Sequence, residues 1–143
     1  MFTDLNHRIG IAAPADKVYK ALTTSQGIKG WWTVDVKMED TVRGHAVFGF
    51  DGQTKILKMR IEQLEPGALV QWKCVEGTPK QWVGTTQEFR IVPQADGSTL
   101  LKLCHGCWKD AEEFSYACNT QWGHLLMNLK QYAEKGVKQP YFT

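Results

Sequence analysis

The sequence predicts an α+β fold: a curved seven-stranded antiparallel sheet wrapped around a long C-terminal helix, with two short helices after the first strand. Three observations carry this. Apolar residues alternate with polar ones through most of the chain, short turn motifs separate the alternating runs, and the last third switches to a helical period ending at Gly136. The 143 residues fit one domain spanning 1–143.

Leu5, His7, Ile9 and Ile11 alternate with Asn6, Arg8 and Gly10, which is a strand with one buried face. Ala13-Pro14-Ala15-Asp16 starts a helix, because proline suits the first helical position and an early acid offsets the positive end of the dipole. Thr23-Thr24-Ser25 ends that helix and caps a second short one, which closes at Gly30-Trp31-Trp32. Strands follow at about 34–39, 43–50, 54–64, 68–76, 83–92 and 98–106. Asp51-Gly52, Pro66-Gly67, Gly77-Thr78-Pro79 and Asp96-Gly97 lie between them, connections short enough for antiparallel neighbours. The final helix starts at a capping Asp110 and stops at Gly136, with Ala111, Ser115, Cys118, Trp122, Leu125, Leu126, Leu129, Tyr132 and Ala133 on one stripe. His124 and Met127 fall on the opposite side.

Composition excludes several function classes. Lys and Arg total 17 against 15 Asp and Glu, and no block of one sign builds up, so phosphate-backbone binding is unsupported and no nucleic-acid partner is expected. No apolar run is long enough for a membrane span, and Asp4 interrupts the N-terminus where an export signal needs basic and then greasy residues. The expectation is a cytoplasmic protein. Cys74, Cys104, Cys107 and Cys118 then read as small buried thiols. Cys104-His105-Gly106-Cys107 lacks the second ligand pair of a zinc site, precedes no helix on a parallel sheet as a redox motif would, and continues into Trp108 where haem attachment needs His. No metal and no cofactor is expected.

The order of elements, Ala13-Pro14-Ala15-Asp16-Lys17-Val18-Tyr19-Lys20-Ala21-Leu22, Gly30-Trp31-Trp32, and Ser98-Thr99-Leu100-Leu101-Lys102-Leu103-Cys104-His105 before a Trp-bearing helix together resemble the START-like (SRPBCC, helix-grip) superfamily. Within it the chain is most similar to the branch of the activator of the ninety-kilodalton heat-shock chaperone ATPase. The resemblance implies a cavity between the sheet and the long helix, used across the superfamily for apolar molecules, and no common reaction.

Six Trp, six Phe and four Tyr are the unusual feature of the composition, enough to fill a large core or line that cavity. The candidate ligand-binding residues are Trp32, Phe48, Phe50, Trp72, Gln87, Phe89, His105 and Trp122. Strand parity puts Phe48 with Phe50, Trp72 with Val70 and Cys74, Gln87 with Phe89 and Ile91, and His105 with Leu101 and Leu103 on inward faces. A polar ring and an amide among apolar neighbours suit the orientation of a ligand. No catalytic set is evident: the sequence pairs neither Ser98 nor Ser115 with an evident His-and-acid motif, the inward strand parities carry no pair of carboxylates, and Asp16, Glu112 and Glu113 suit helix starts.

Three functions follow. The first is binding of a small apolar or amphipathic ligand. The second is a cyclase, dehydratase or hydrolase in the same cavity with His105 as acid or base, and the third is a chaperone co-factor module. The expected partner is a small apolar ligand, and a homodimer stays open.

Overall fold

The computed structural model describes residues 4–109 and 112–143. The strands are β1 (Leu5–Ile11), β2 (Asp35–Met38), β3 (His45–Phe50), β4 (Lys55–Glu65), β5 (Leu69–Gly77), β6 (Thr86–Pro93) and β7 (Thr99–Gly106). The helices are α1 (Ala15–Thr23), α2 (Ser25–Trp31) and α3 (Glu112–Lys135). All strand pairs are antiparallel, in the order β1-β7-β6-β5-β4-β3-β2. The first strand therefore closes against the last, and the α1–α2 excursion carries the chain from one sheet edge to the other.

Inward parity follows the alternation. Phe48, Phe50, Trp72, Cys74, Phe89, Ile91, Leu101 and Leu103 are all buried, and so are the polar Gln87 and His105. Two register shifts between β4 and β5 leave one unpaired residue on each strand, Val75 opposite the Lys58/Met59 step and Glu62 opposite the Trp72/Gln71 step, the device by which a sheet bends. At 1.5 Å per residue, the 24 residues of α3 extend about 36 Å. Its Cys118, Trp122, Leu125, Leu126, Leu129 and Ala133 are buried, while His124 and Met127 face outward. The capping Asp110 and the stripe residue Ala111 lie outside the described residues.

Two local details refine the expectations. Pro14 is the N-cap of α1 and not its first helical residue; it has no side-chain acceptor to offer, and its carbonyl takes the Lys17 and Val18 amides at 3.1 and 3.3 Å. Thr24 does cap α2, its hydroxyl oxygen accepting the Gly27 amide at 2.9 Å. Gly27 is also where α2 crosses α1: a Cβ there would stand 2.6 Å from Ala21 Cα, backbone against backbone. Gly27→Ala is expected to cost about 1–3 kcal/mol by overpacking, read as a lowered thermal midpoint; an unchanged midpoint would show that the helices can part freely.

The thiols differ from expectation in one respect. Cys74 and Cys118 are buried, but Cys104 is half-buried and Cys107 exposed. The reason is parity: Cys104 alternates with the inward Leu103 and His105 and so points outward, and Cys107 follows the strand in a left-handed conformation, φ 62°.

The sequence pattern assigns no element beyond Gly136. Gly136, at φ 69°, ends α3 and turns the chain back along α2. Gln139 N donates to Gly30 O, Tyr141 N to Trp31 O and Phe142 N to Trp32 O. This return brings Phe142 against Phe50, with ring centroids 4.7 Å apart.

Candidate functional site

The eight candidate residues form one connected set. Trp32 is its hub, 4.7 Å from Phe48, 5.7 Å from Phe50, 6.2 Å from Trp72 and 5.6 Å from Trp122, all between ring centroids. Phe89 joins Trp72 at 5.0 Å and Trp122 at 6.0 Å in edge-to-face contacts. Strands β3, β5 and β6 supply the floor, the end of α2 supplies Trp32, and α3 supplies Trp122 from above. All six tryptophans are buried, which accounts for most of the aromatic excess.

The polar pair is wired into this cluster. Trp122 Nε1 can only donate, so at 3.0 Å from His105 Nδ1 it requires that nitrogen to be bare and leaves the ring's proton on Nε2. Thr85 Oγ1 lies 2.8 Å from that Nε2 and accepts it, having given its own proton to the Trp82 carbonyl at 2.6 Å. Gln87 Nε2 also donates to Thr85 Oγ1, at 3.0 Å, and stands 3.1 Å from His105 Nε2. Burial pushes the His105 imidazole down to about 3, so at neutral pH it is an uncharged connector with both nitrogens engaged. Gln87 Oε1, by contrast, is buried and has no partner among the described residues, an arrangement that costs about 1–3 kcal/mol unless a donor is supplied.

An opening of about 210 Å³ lies at one side of the ring cluster. Its walls include Trp32 and Phe50 from the candidate set, with Leu57, Trp82, Cys118 and Phe142. Phe48, Trp72, Gln87, Phe89, His105 and Trp122 are not on this wall. Lys55 and Ala117, both exposed, stand at its rim, and Gln121 adds an amide. Sequence reasoning missed Trp82 and Phe142. Trp82 sits in a short 3-10 turn over Lys80–Trp82, where strand parity has no meaning, yet its ring lies 4.5 Å from His105 and 6.0 Å from Trp122. A bulky aromatic in an otherwise polar turn was the available signal. Phe142 had none, because its position depends on the backbone bonds of the returning tail.

Among the described residues, no three His, Cys, Asp or Glu side chains gather as a metal site would need. No helix of the described residues is long and apolar enough to cross a membrane.

The sequence profile of the Activator of Hsp90 ATPase homolog 1-like protein family matches residues 12–134. Curated protein sequences provide no match. The solution structure of the Aha1 dimer from Colwellia psychrerythraea superposes with TM-score 0.84 at 33% identity, covering 94% of this chain and 98% of that one. CalU16 from Micromonospora echinospora superposes with TM-score 0.76 at 21% identity over 96% of this chain and 77% of that one. DynU16, from the dynemicin biosynthetic locus, gives 0.80 at 17% identity over 99% of this chain and 51% of that one. The last two likenesses show the helix-grip fold.

Proposed function

The chain belongs to the Activator of Hsp90 ATPase homolog 1-like family, within the START-like superfamily, and from that membership and its open aromatic cavity we propose that it binds a small amphipathic molecule between the sheet and α3. The cavity carries the reading. At about 210 Å³ it exceeds the roughly 150 Å³ that suffices for benzene in a dry protein cavity, so a one- or two-ring molecule matches it in size. Trp32, Phe50, Trp82 and Phe142 offer faces and edges to such a ring. Lys55 and Gln121 stand where a ligand's polar end would emerge. Phe48, Trp72, Phe89 and Trp122 would act one layer behind, holding the wall rings in place, with His105 fixing Trp122 and Gln87 Oε1 offering an acceptor to a donor that reaches it.

Titration with 8-anilino-1-naphthalenesulfonate tests this reading. Saturable binding at about one site is expected, and Ala117→Trp, which puts an indole into the mouth, should weaken it at least tenfold. Lys55→Glu should weaken the sulfonate probe while sparing neutral naphthalene. Binding indifferent to Ala117→Trp would refute the proposed location.

A second reading rests on the family's name and on the 33% identical Aha1. It makes the chain a module acting on the chaperone ATPase through an outer surface, with a homodimer as its assembly. Stimulation of the chaperone ATPase that survives Ala117→Trp would favour this reading. Sedimentation of the chain as a monomer at all accessible concentrations would remove the dimer.

A further inference from the structure

Far from the aromatic cavity, a cleft of about 750 Å³ opens between α1 and the C-terminal end of α3. Its residues on α3 begin at Tyr132, eleven positions beyond Gln121, or about 17 Å along the helix. Four lysines line it: Lys17 and Lys20 from α1, Lys135 from the last turn of α3, and Lys138 from the returning tail. All four are exposed, and among the described residues none has an ion pair. The one carboxylate on the wall, Glu134, is already engaged, accepting from Lys130 Nζ and from the Ala12 amide, each at 2.6 Å. The cleft is therefore strongly cationic on a chain whose net charge is only +2.

Helix electrostatics do not account for this placement. Lys20 and Lys135 sit in the last turns of their helices, where a cation is favoured, but Lys17 is in the first turn of α1, where the dipole opposes it. Lys17 and Lys20 are also three residues apart on one helix, a spacing at which like charges repel. Lys138 lies outside any helix. It is held near the cleft because Gly136 adopts φ 69° and the Gln139 amide is anchored on Gly30 O. Tyr132 forms an aromatic wall that is itself pinned, since its ring lies over Gly30 where no side chain would fit. A cleft lined by one sign of charge focuses its field on a counter-ion.

We infer that this cleft binds a multiply charged phosphate-bearing anion, with Lys17, Lys20, Lys135 and Lys138 as the groups that hold it. The phosphates could be those of a soluble molecule or of a lipid headgroup, and the test separates these sources. The full chain is titrated with sodium tripolyphosphate at 0.15 M salt, and with phosphatidylcholine vesicles with and without phosphatidylinositol 4,5-bisphosphate. Lys17→Glu/Lys138→Glu should weaken binding at least tenfold. The charge-matched control Lys37→Glu/Lys102→Glu, on exposed positions of the outer sheet face, should change it less than twofold.

Saturation by tripolyphosphate alone with that ranking supports the site and assigns a soluble ligand. Vesicle capture that requires the bisphosphate and follows the same ranking supports it and assigns a headgroup. Equal losses in both double variants would reduce the effect to overall charge and overturn the inference, as would the absence of saturable binding to either probe.

Discussion

Replacing Trp122 with alanine is expected to lower the unfolding free energy by about 3–5 kcal/mol, the usual range for deleting a large buried ring. The indole is 1% exposed and packs on Trp32, Trp82 and Phe89 at centroid distances of 5.6, 6.0 and 6.0 Å. Its removal also strips His105 Nδ1 of the indole N–H that donates to it, the only donor to that nitrogen among the described residues. Trp122→Phe separates the two effects: most of the ring is kept and the N–H is lost, so about 1–3 kcal/mol should disappear. Urea denaturation of the three proteins should rank them wild type, Phe, Ala. A loss below about 1 kcal/mol for alanine would contradict the packing, since the adjoining cavity could soften the cost but not abolish it.

The second large effect is acid lability with an assigned cause. His105 titrates near 6.5 in the unfolded chain and is pushed down to about 3 in the folded one. Between those values the unfolded state binds the extra proton, so stability is full above about pH 6.5 and falls as pH drops toward 3. Several carboxylates are also held low in the folded protein: Glu62 by Arg60, Asp96 by Ser98, Glu134 by Lys130. Their losses begin only as pH approaches the ordinary carboxylate values of 4.5 and 3.8, so the loss caused by His105, between about 6.5 and 4.5, precedes theirs. At about 1.4 kcal/mol per unit, that window should cost about 2–3 kcal/mol. His105→Gln will be less stable at every pH, but its stability should be nearly flat across the window. Denaturation midpoints that slope as steeply in the variant as in the wild type would place the acid sensitivity elsewhere.

The same residue bears on the choice between functions. An acid or base must exchange a proton with substrate near the working pH. His105 is neutral there, its Nε2–H donating to Thr85 Oγ1 and its Nδ1 accepting from Trp122 Nε1. Its evident work is to tie β7 to α3 and, through Thr85, to the turn that carries Trp82. This favours binding over catalysis by the imidazole.

What the sequence determined by itself is the part of the structure governed by period and by turns. The strands to within a few residues, the inward rows ending in Phe50, Cys74 and His105, the α3 stripe centred on Trp122, and a cap within Thr23-Thr24-Ser25 all follow from rules that operate over a few residues. The exception is β6, read from about 83, which starts at Thr86 because the 3-10 turn of Lys80–Trp82 occupies the approach. The convergence of Trp32, Phe48, Phe50, Trp72, Gln87, Phe89, His105 and Trp122 was also legible, because side chains on one face of adjacent strands must meet whatever covers that face.

Tertiary structure alone decided which of these rings border open space. Trp32 and Phe50 do because Trp82 and Phe142 arrive beside them, one on a 3-10 turn and one on a tail anchored by three backbone bonds to Gly30, Trp31 and Trp32. Neither placement is periodic, so no pattern along the chain encodes it. The same holds for the lysine cleft: Lys17 and Lys138 are 121 positions apart in the chain. They share a concavity only because α3 spans the sheet and Gly136 turns the tail back toward α1 and α2. Local propensity sets what each segment becomes, whereas which segments enclose a void or share a charged wall depends on long-range packing.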